Sequence, residues 1–263
     1  MDLELFEKIN FELKDLTKEL AYHIVGDPLV LKNLQDYLNI SKKHNLKVNI
    51  VTTANNINKA MYETLLNSAI KQINFSLNSY NANSHKKSFD EYIDPILDFV
   101  SFAKEQKHEF FINFRLWNLD DNKSAKEFNE KVFAKINSFF GLKLSFDEIY
   151  KSKEKSIKVD RKIFIHFDSY FSWPNIASKE LNSSGFCYGL SSHFGILASG
   201  DVVPCCLDKD CNINLGNVKK SSIKEILSSK KAQNIKQGFA KNILVEDLCK
   251  KCEYISRFKK EEI

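Results

Sequence analysis

All six cysteines of the 263-residue chain fall between Cys187 and Cys252. Cys187 stands alone, Cys205 and Cys206 follow Pro204 shortly after Gly200, and Cys249 and Cys252 form a Cys-x-x-Cys pair. Soft thiolates of this kind are the ligands of iron–sulfur clusters and of structural zinc. A Cys-x-x-Cys on a tight turn aims two sulfurs at one centre, so that pair is the strongest part of the pattern. Cys187, Cys205, Cys249 and Cys252 together suit an iron–sulfur cluster or a zinc ion. Cys206 is expected beside the centre or as a buried thiol, and Cys211 as a free one, because vicinal cysteines rarely ligate one cluster. The six histidines show no ligand spacing, although His23 and His166 fall on expected strands and could face a barrel interior.

The chain is 43% apolar with 21 phenylalanines, enough for a substantial core. It has no run of about 18 apolar residues, and Met1 to Glu4 does not open a signal peptide, so a cytoplasmic protein without a membrane partner is expected. In a reducing compartment clustered cysteines read as a metal site rather than as disulfides. The net charge of +5 is spread among interleaved acids and lysines. Pairs such as Lys219-Lys220 lack aromatic interleaving, which disfavours nucleic acid as a partner.

The elements that must position these groups alternate along the chain. Helical spacing covers 2–20, 29–44, 57–70, 89–107 and 124–140, the last stopped by Gly141. Apolar strands are expected at 21–25, 46–52, 72–77, 110–116 and 163–167. A polar loop is expected at 78–87 and a charged, mobile link from Lys151 to Lys162. Five strands separated by helices specify βα units and a parallel sheet, with ligand groups at the carboxyl ends. Gly26, Asp27, Thr52 to Asn55, Ser76, Asn78, Arg115 and Asp168 fall there. Beyond Tyr170 the alternation ends. A hairpin at 194–203 turning at Ser199 to Asp201, two short helices at 222–229 and 232–239, and the closing cysteine pair remain. Trp173-Pro174 is expected near the junction. The expected domains are 1–170 and 171–263.

Cys187, twelve residues, Gly200, four residues, Cys205, and then Cys249-x-x-Cys252 resemble the SPASM/Twitch auxiliary-cluster domain of radical S-adenosylmethionine (SAM) enzymes. Gly200 to Asp208 and Leu215 to Val218 ahead of a helix resemble it as well. The resemblance implies one auxiliary [4Fe–4S] cluster on the four cysteines. Upstream, Gly26-Asp27-Pro28 resembles the family's Gly-Glu-Pro motif, which holds the SAM amino group, with Asp in place of Glu. Ser76 and Asn78 resemble the fourth-strand contacts to SAM, and Arg115 the family's basic contact. The implied fold is α/β, a partial (βα) barrel of radical SAM type missing its first strand, followed by a small α+β SPASM/Twitch metal-binding domain.

The family's Cys-x-x-x-Cys-x-x-Cys motif, whose thiolates bind the SAM-cleaving cluster, is absent. The resemblance therefore implies an oxidoreductase abstracting hydrogen from an unknown substrate in its intact form, with this chain unable to make the radical. An upstream start or the loss of the opening stretch would explain the departure, and the unpaired edge of the first strand favours an incomplete chain. The partners implied are a small-molecule or peptide substrate and an electron donor protein. A non-catalytic iron–sulfur or zinc module for structure or partner docking is the competing reading.

Overall fold

The computed structural model describes residues 1–82, 87–119 and 123–258. The chain divides into two compact units. One comprises residues 17–23 and 27–170; the other comprises 1–16, 24–26 and 171–263. In chain order the elements are α1 (Leu3–Leu13), β1 (Glu19–Tyr22), α2 (Leu34–Lys43), β2 (Lys47–Thr52), β3 (Ile70–Ser76), α3 (Asn78–Ala82) and α4 (Phe89–Glu105). Then come β4 (Phe111–Leu116), α5 (Lys123–Phe140), α6 (Phe146–Ser152), β5 (Ser156–Asp160) and β6 (Ile163–Phe167). The remainder holds β7 (Gly195–Ile196), β8 (Asp201–Val203), β9 (Gly216–Asn217), α7 (Ile223–Ser228), α8 (Lys230–Ala240) and α9 (Asp247–Lys250).

The larger unit is one six-stranded sheet in the order β1-β2-β3-β4-β6-β5. Its first five strands run parallel, and β5 closes the far edge antiparallel to β6. Alternation decides which way the strands face: in β2, Val48, Ile50 and Thr52 are buried while Lys47, Asn49 and Val51 are not. Ile73, Phe75, Ile112, Phe114 and Leu116 are fully buried in the core, each side chain contributing about 1.5–3 kcal/mol by leaving water. Helix α4 starts on a capping box, the Ser88 hydroxyl accepting from the Glu91 amide and the Glu91 carboxylate from the Ser88 amide.

The other face carries a row of carboxamides. Gln72 and Asn113 both donate to the Asn74 side-chain oxygen, and Asn74 donates to the Ile50 carbonyl. Asn74 and Asn113 are buried, and each finds its partner in the next strand.

Four expectations are corrected. The first strand lies at 19–22 rather than 21–25, because α1 ends at Leu13 and the chain reaches the sheet sooner. The helix expected over 57–70 is two single 3-10 turns, Lys59–Met61 and Thr64–Leu66; the Asn58 side chain caps the first by accepting from the Ala60 amide. The link from Lys151 to Lys162 is instead the end of α6 and strand β5, where Lys158 is exposed, Asp160 pairs with Lys104, and the backbone pairs with β6. The polar loop expected from Asn78 opens as α3, and residues 83–86 lie outside the described residues.

The smaller unit is built on the three-stranded antiparallel sheet β7-β8-β9. The expected hairpin is present, with Gly200 in the left-handed region at its turn (φ +94°). Helix α1, expected with the barrel, belongs here. Its Glu12 carboxylate accepts from the Ile223 amide at 2.6 Å, satisfying an open donor at the start of α7, and its Lys8 amine donates to the Val218 carbonyl.

Candidate metal centre

The smaller unit gathers four cysteines from three separate segments. Cys187 precedes a tight turn in which Tyr188 O accepts from the Ser191 and Ser192 amides. Cys205 and Cys206 follow β8. Asp208, itself buried, anchors the loop beyond them by accepting from the amides of Asn212 and Ile213, each at 2.8 Å. Cys249 lies in α9, and Cys252 just after it accepts no disulfide partner; all six cysteines are free thiols. The Asn182 amide side chain donates to the Cys252 carbonyl at 2.9 Å, tying the last segment down.

Burial, together with one another's charge, keeps these thiols protonated in the chain alone. Burial pushes the Cys205 thiol up to about 12, aided by the charges of Cys206, Cys187 and Cys252. Burial also raises Cys249, helped by Cys205, Cys187 and Cys252. Cys252 is raised by burial and then by Cys187 and Cys206. The charge of Cys187 thus acts on Cys205, Cys249 and Cys252 alike. Cys187 is raised by burial, against which the amides of Gly189 and Tyr188 favour its thiolate; the Gly189 bond to Sγ measures 3.4 Å. The Leu207 amide does the same for Cys205, and those of Tyr254 and Ile255 for Cys252. Buried, mutually repelling thiolates with amides turned toward them want a cationic centre, and iron or zinc supplies that charge. The donor set fits such a group. Among the described residues, no three His, Cys, Asp or Glu side chains are already poised on a single metal ion.

Cys211 stands apart. Burial raises its thiol, helped by the charges of Asp201 and Asp208 and opposed by Asn214 and Lys231; no other cysteine contributes. Burial and then the Cys187 charge raise the Cys206 thiol.

In the larger unit, sheet register puts Ser76 opposite Arg115 and Arg115 opposite His166, in one row near the carboxyl ends. The Arg115 guanidinium lies 4.9 Å from the Trp117 ring centroid. Burial and then the Arg115 charge lower the His166 pKa. Asn78 opens α3 two residues on. Gly26 takes φ +96°. His23 follows β1 directly and is half-buried. A concavity of about 280 Å³ lies on the amino-terminal half of β3 and β4, lined by Gln72, Phe111, Asn113, Phe164 and His166 among others.

Asp27 is differently placed. Its carboxylate accepts from the Leu29 amide at 3.0 Å, the Thr52 hydroxyl at 2.8 Å, and both the amide and the hydroxyl of Thr53 at 2.8 Å. The threonines sit in the sequence at the end of an expected strand, but nothing in residue type alone marks them as partners of Asp27.

Comparison with known proteins adds the following. The SPASM model, an iron-sulfur cluster-binding domain, matches residues 187–253. No curated protein matches the chain in sequence. Among solved structures, BtrN in complex with AdoMet and 2-DOIA is 16% identical, covers 100% of this chain and 84% of its own, and gives a TM-score of 0.57. Native anSMEcpe with bound AdoMet is 17% identical over 97% of this chain and 78% of its own, with a TM-score of 0.52. Streptococcus suis SuiB is 15% identical over 98% and 68%, with a TM-score of 0.55.

Proposed function

We propose that this chain, which has the fold of a radical SAM/SPASM protein, holds one iron–sulfur cluster on Cys187, Cys205, Cys249 and Cys252. The observation that carries the reading is the match of the iron-sulfur cluster-binding domain to residues 187–253, the stretch that holds all four cysteines, with backbone amides favouring the thiolate at three of them. The cluster type proposed is [4Fe–4S], the Twitch form with a single cluster. Bound there, it would bind a substrate or accept an electron from it, as an oxidoreductase does. The test is anaerobic reconstitution of the full chain, with iron, inorganic sulfide and the visible spectrum as readouts.

The SAM contacts implied by the sequence resemblance are Gly26, Asp27, Ser76, Asn78 and Arg115. The solved relatives BtrN and anSMEcpe hold AdoMet. Here Asp27 does not fit as an amine acceptor: a carboxylate offers about four lone-pair sites, and Asp27 already accepts from Leu29, Thr52 and two donors of Thr53. Residues 1–186 contain no cysteine, so they offer no thiolates to a second cluster. We assign no radical step to these 263 residues. Those two observations favour, as a second reading, a non-catalytic cluster or zinc module acting in structure or partner docking. The substrate class proposed for the intact form is a small molecule or a peptide; solved relatives were crystallised with 2-DOIA and with the Kp18Cys peptide. A cytoplasmic location and an electron donor protein complete the proposal.

A further inference from the structure

We infer that Asp27 is the latch of the exit loops after β1 and β2, and that it positions those loops rather than receiving a ligand's amino group. Its two oxygens meet four donors from three residues. Leu29 belongs to the single 3-10 turn Pro28–Val30 that Asp27 caps; Thr52 and Thr53 end β2 and start its exit loop. Each hydroxyl that donates to Asp27 also accepts: Thr52 from the Ala54 amide at 2.8 Å, Thr53 from the Asn55 side chain at 3.2 Å. Such chained hydrogen bonds polarise one another.

The loop they shape is costly without the latch. Ala54 is buried and sits at φ +63°, a region that a residue with a Cβ adopts only when its surroundings impose it. From α4, the Tyr92 hydroxyl donates to the Thr53 carbonyl at 2.9 Å, closing the loop from below. An ammonium group approaching Asp27 would need an acceptor site, and the four sites are already met by the Leu29 amide, the Thr52 hydroxyl and the amide and hydroxyl of Thr53. The Asp carboxylate meets the Thr53 amide directly, at the residue that follows β2.

The experiment compares the full chain with Asp27→Asn and Thr53→Val by thermal unfolding and by calorimetric titration with S-adenosylmethionine, with iron measured on the same samples. Asp27→Asn replaces an oxygen by a donor that faces donors. Its melting temperature should fall by about 5 °C, while the titration stays within about twofold of wild type or shows no heat in either. Thr53→Val should lower the melting temperature by a smaller amount, and it carries the test if Asp27→Asn does not fold. Unchanged melting in both variants overturns the latch. A tenfold or greater loss of S-adenosylmethionine affinity in Asp27→Asn restores Asp27 as the amine acceptor. Iron content reads the cysteine assignment separately and stays at the wild-type value in either case.

Discussion

The amide of Gly189 donates to the Sγ of Cys187 at 3.4 Å. A sulfur that receives a backbone N–H while buried is prepared to carry negative charge. The position also tolerates little else: a Cβ on Gly189 would lie 3.2 Å from the Pro204 carbonyl oxygen and 3.7 Å from that same sulfur. The turn therefore fixes Cys187 against the segment that leads into Cys205.

Removal of either sulfur of the closing pair should abolish the centre. Cys249→Ala or Cys252→Ala is expected to lose iron and visible absorbance and to loosen the tail, because metal binding there is coupled to folding. Cys211→Ala should keep full iron, since the groups that shift its thiol are Asp201, Asp208, Asn214 and Lys231 and no cysteine is among them. Iron per chain measures both.

Much of this was legible beforehand. Cys-x-x-Cys and the Gly200 turn are local patterns, and the apolar strands at 46–52, 110–116 and 163–167 fall within a residue of where they form. Strand β5 was not legible: Ser156 to Asp160 is charged and short, and its order comes from pairing with Ile163 to Phe167. The placement of α1 was equally hidden, resting on single bonds from Glu12 and Lys8 to residues more than 200 positions away. Asp27 was visible as a strand-end acid, but its saturation depends on hydroxyls 25 and 26 residues later.

Acid should destabilise the larger unit before its carboxylates titrate. Burial lowers the pKa of His108, and burial with the Arg115 charge lowers that of His166. The unfolded chain then binds more protons than the folded one just below the ordinary histidine value of about 6.5. Stability is fully present above that value and is lost as pH falls through it toward the folded pKa. The melting temperature should drop between pH 7 and pH 5, and His108→Gln should flatten the dependence. A flat wild-type profile over that range contradicts the assignment.

Asn118 and Asn129 exchange hydrogen bonds of 3.2 and 3.1 Å, and both are buried. Asn129→Ala leaves the Asn118 amide without its partner and should cost about 1–3 kcal/mol in urea unfolding. The double variant Asn118→Ala/Asn129→Ala should cost less than the sum of the two single changes.

Helix α8 carries Gly238 in its interior, where alanine alone would gain about 1 kcal/mol. A Cβ there would lie 2.5 Å from Val245 Cγ2 and 2.9 Å from the Ile243 carbonyl oxygen. Val245 can turn away, but the backbone cannot. Gly238→Ala should therefore destabilise the smaller unit by about 1–3 kcal/mol despite the better propensity, read as a lower denaturation midpoint.

Reconstituting the full chain with iron and sulfide under anaerobic conditions tests the central assignment most directly. One cluster's complement, about four iron and four sulfide per chain with broad absorption in the visible blue, is the predicted result. A colourless protein that takes up zinc, or one whose iron is unaffected when Cys187, Cys205, Cys249 or Cys252 is replaced, would contradict it.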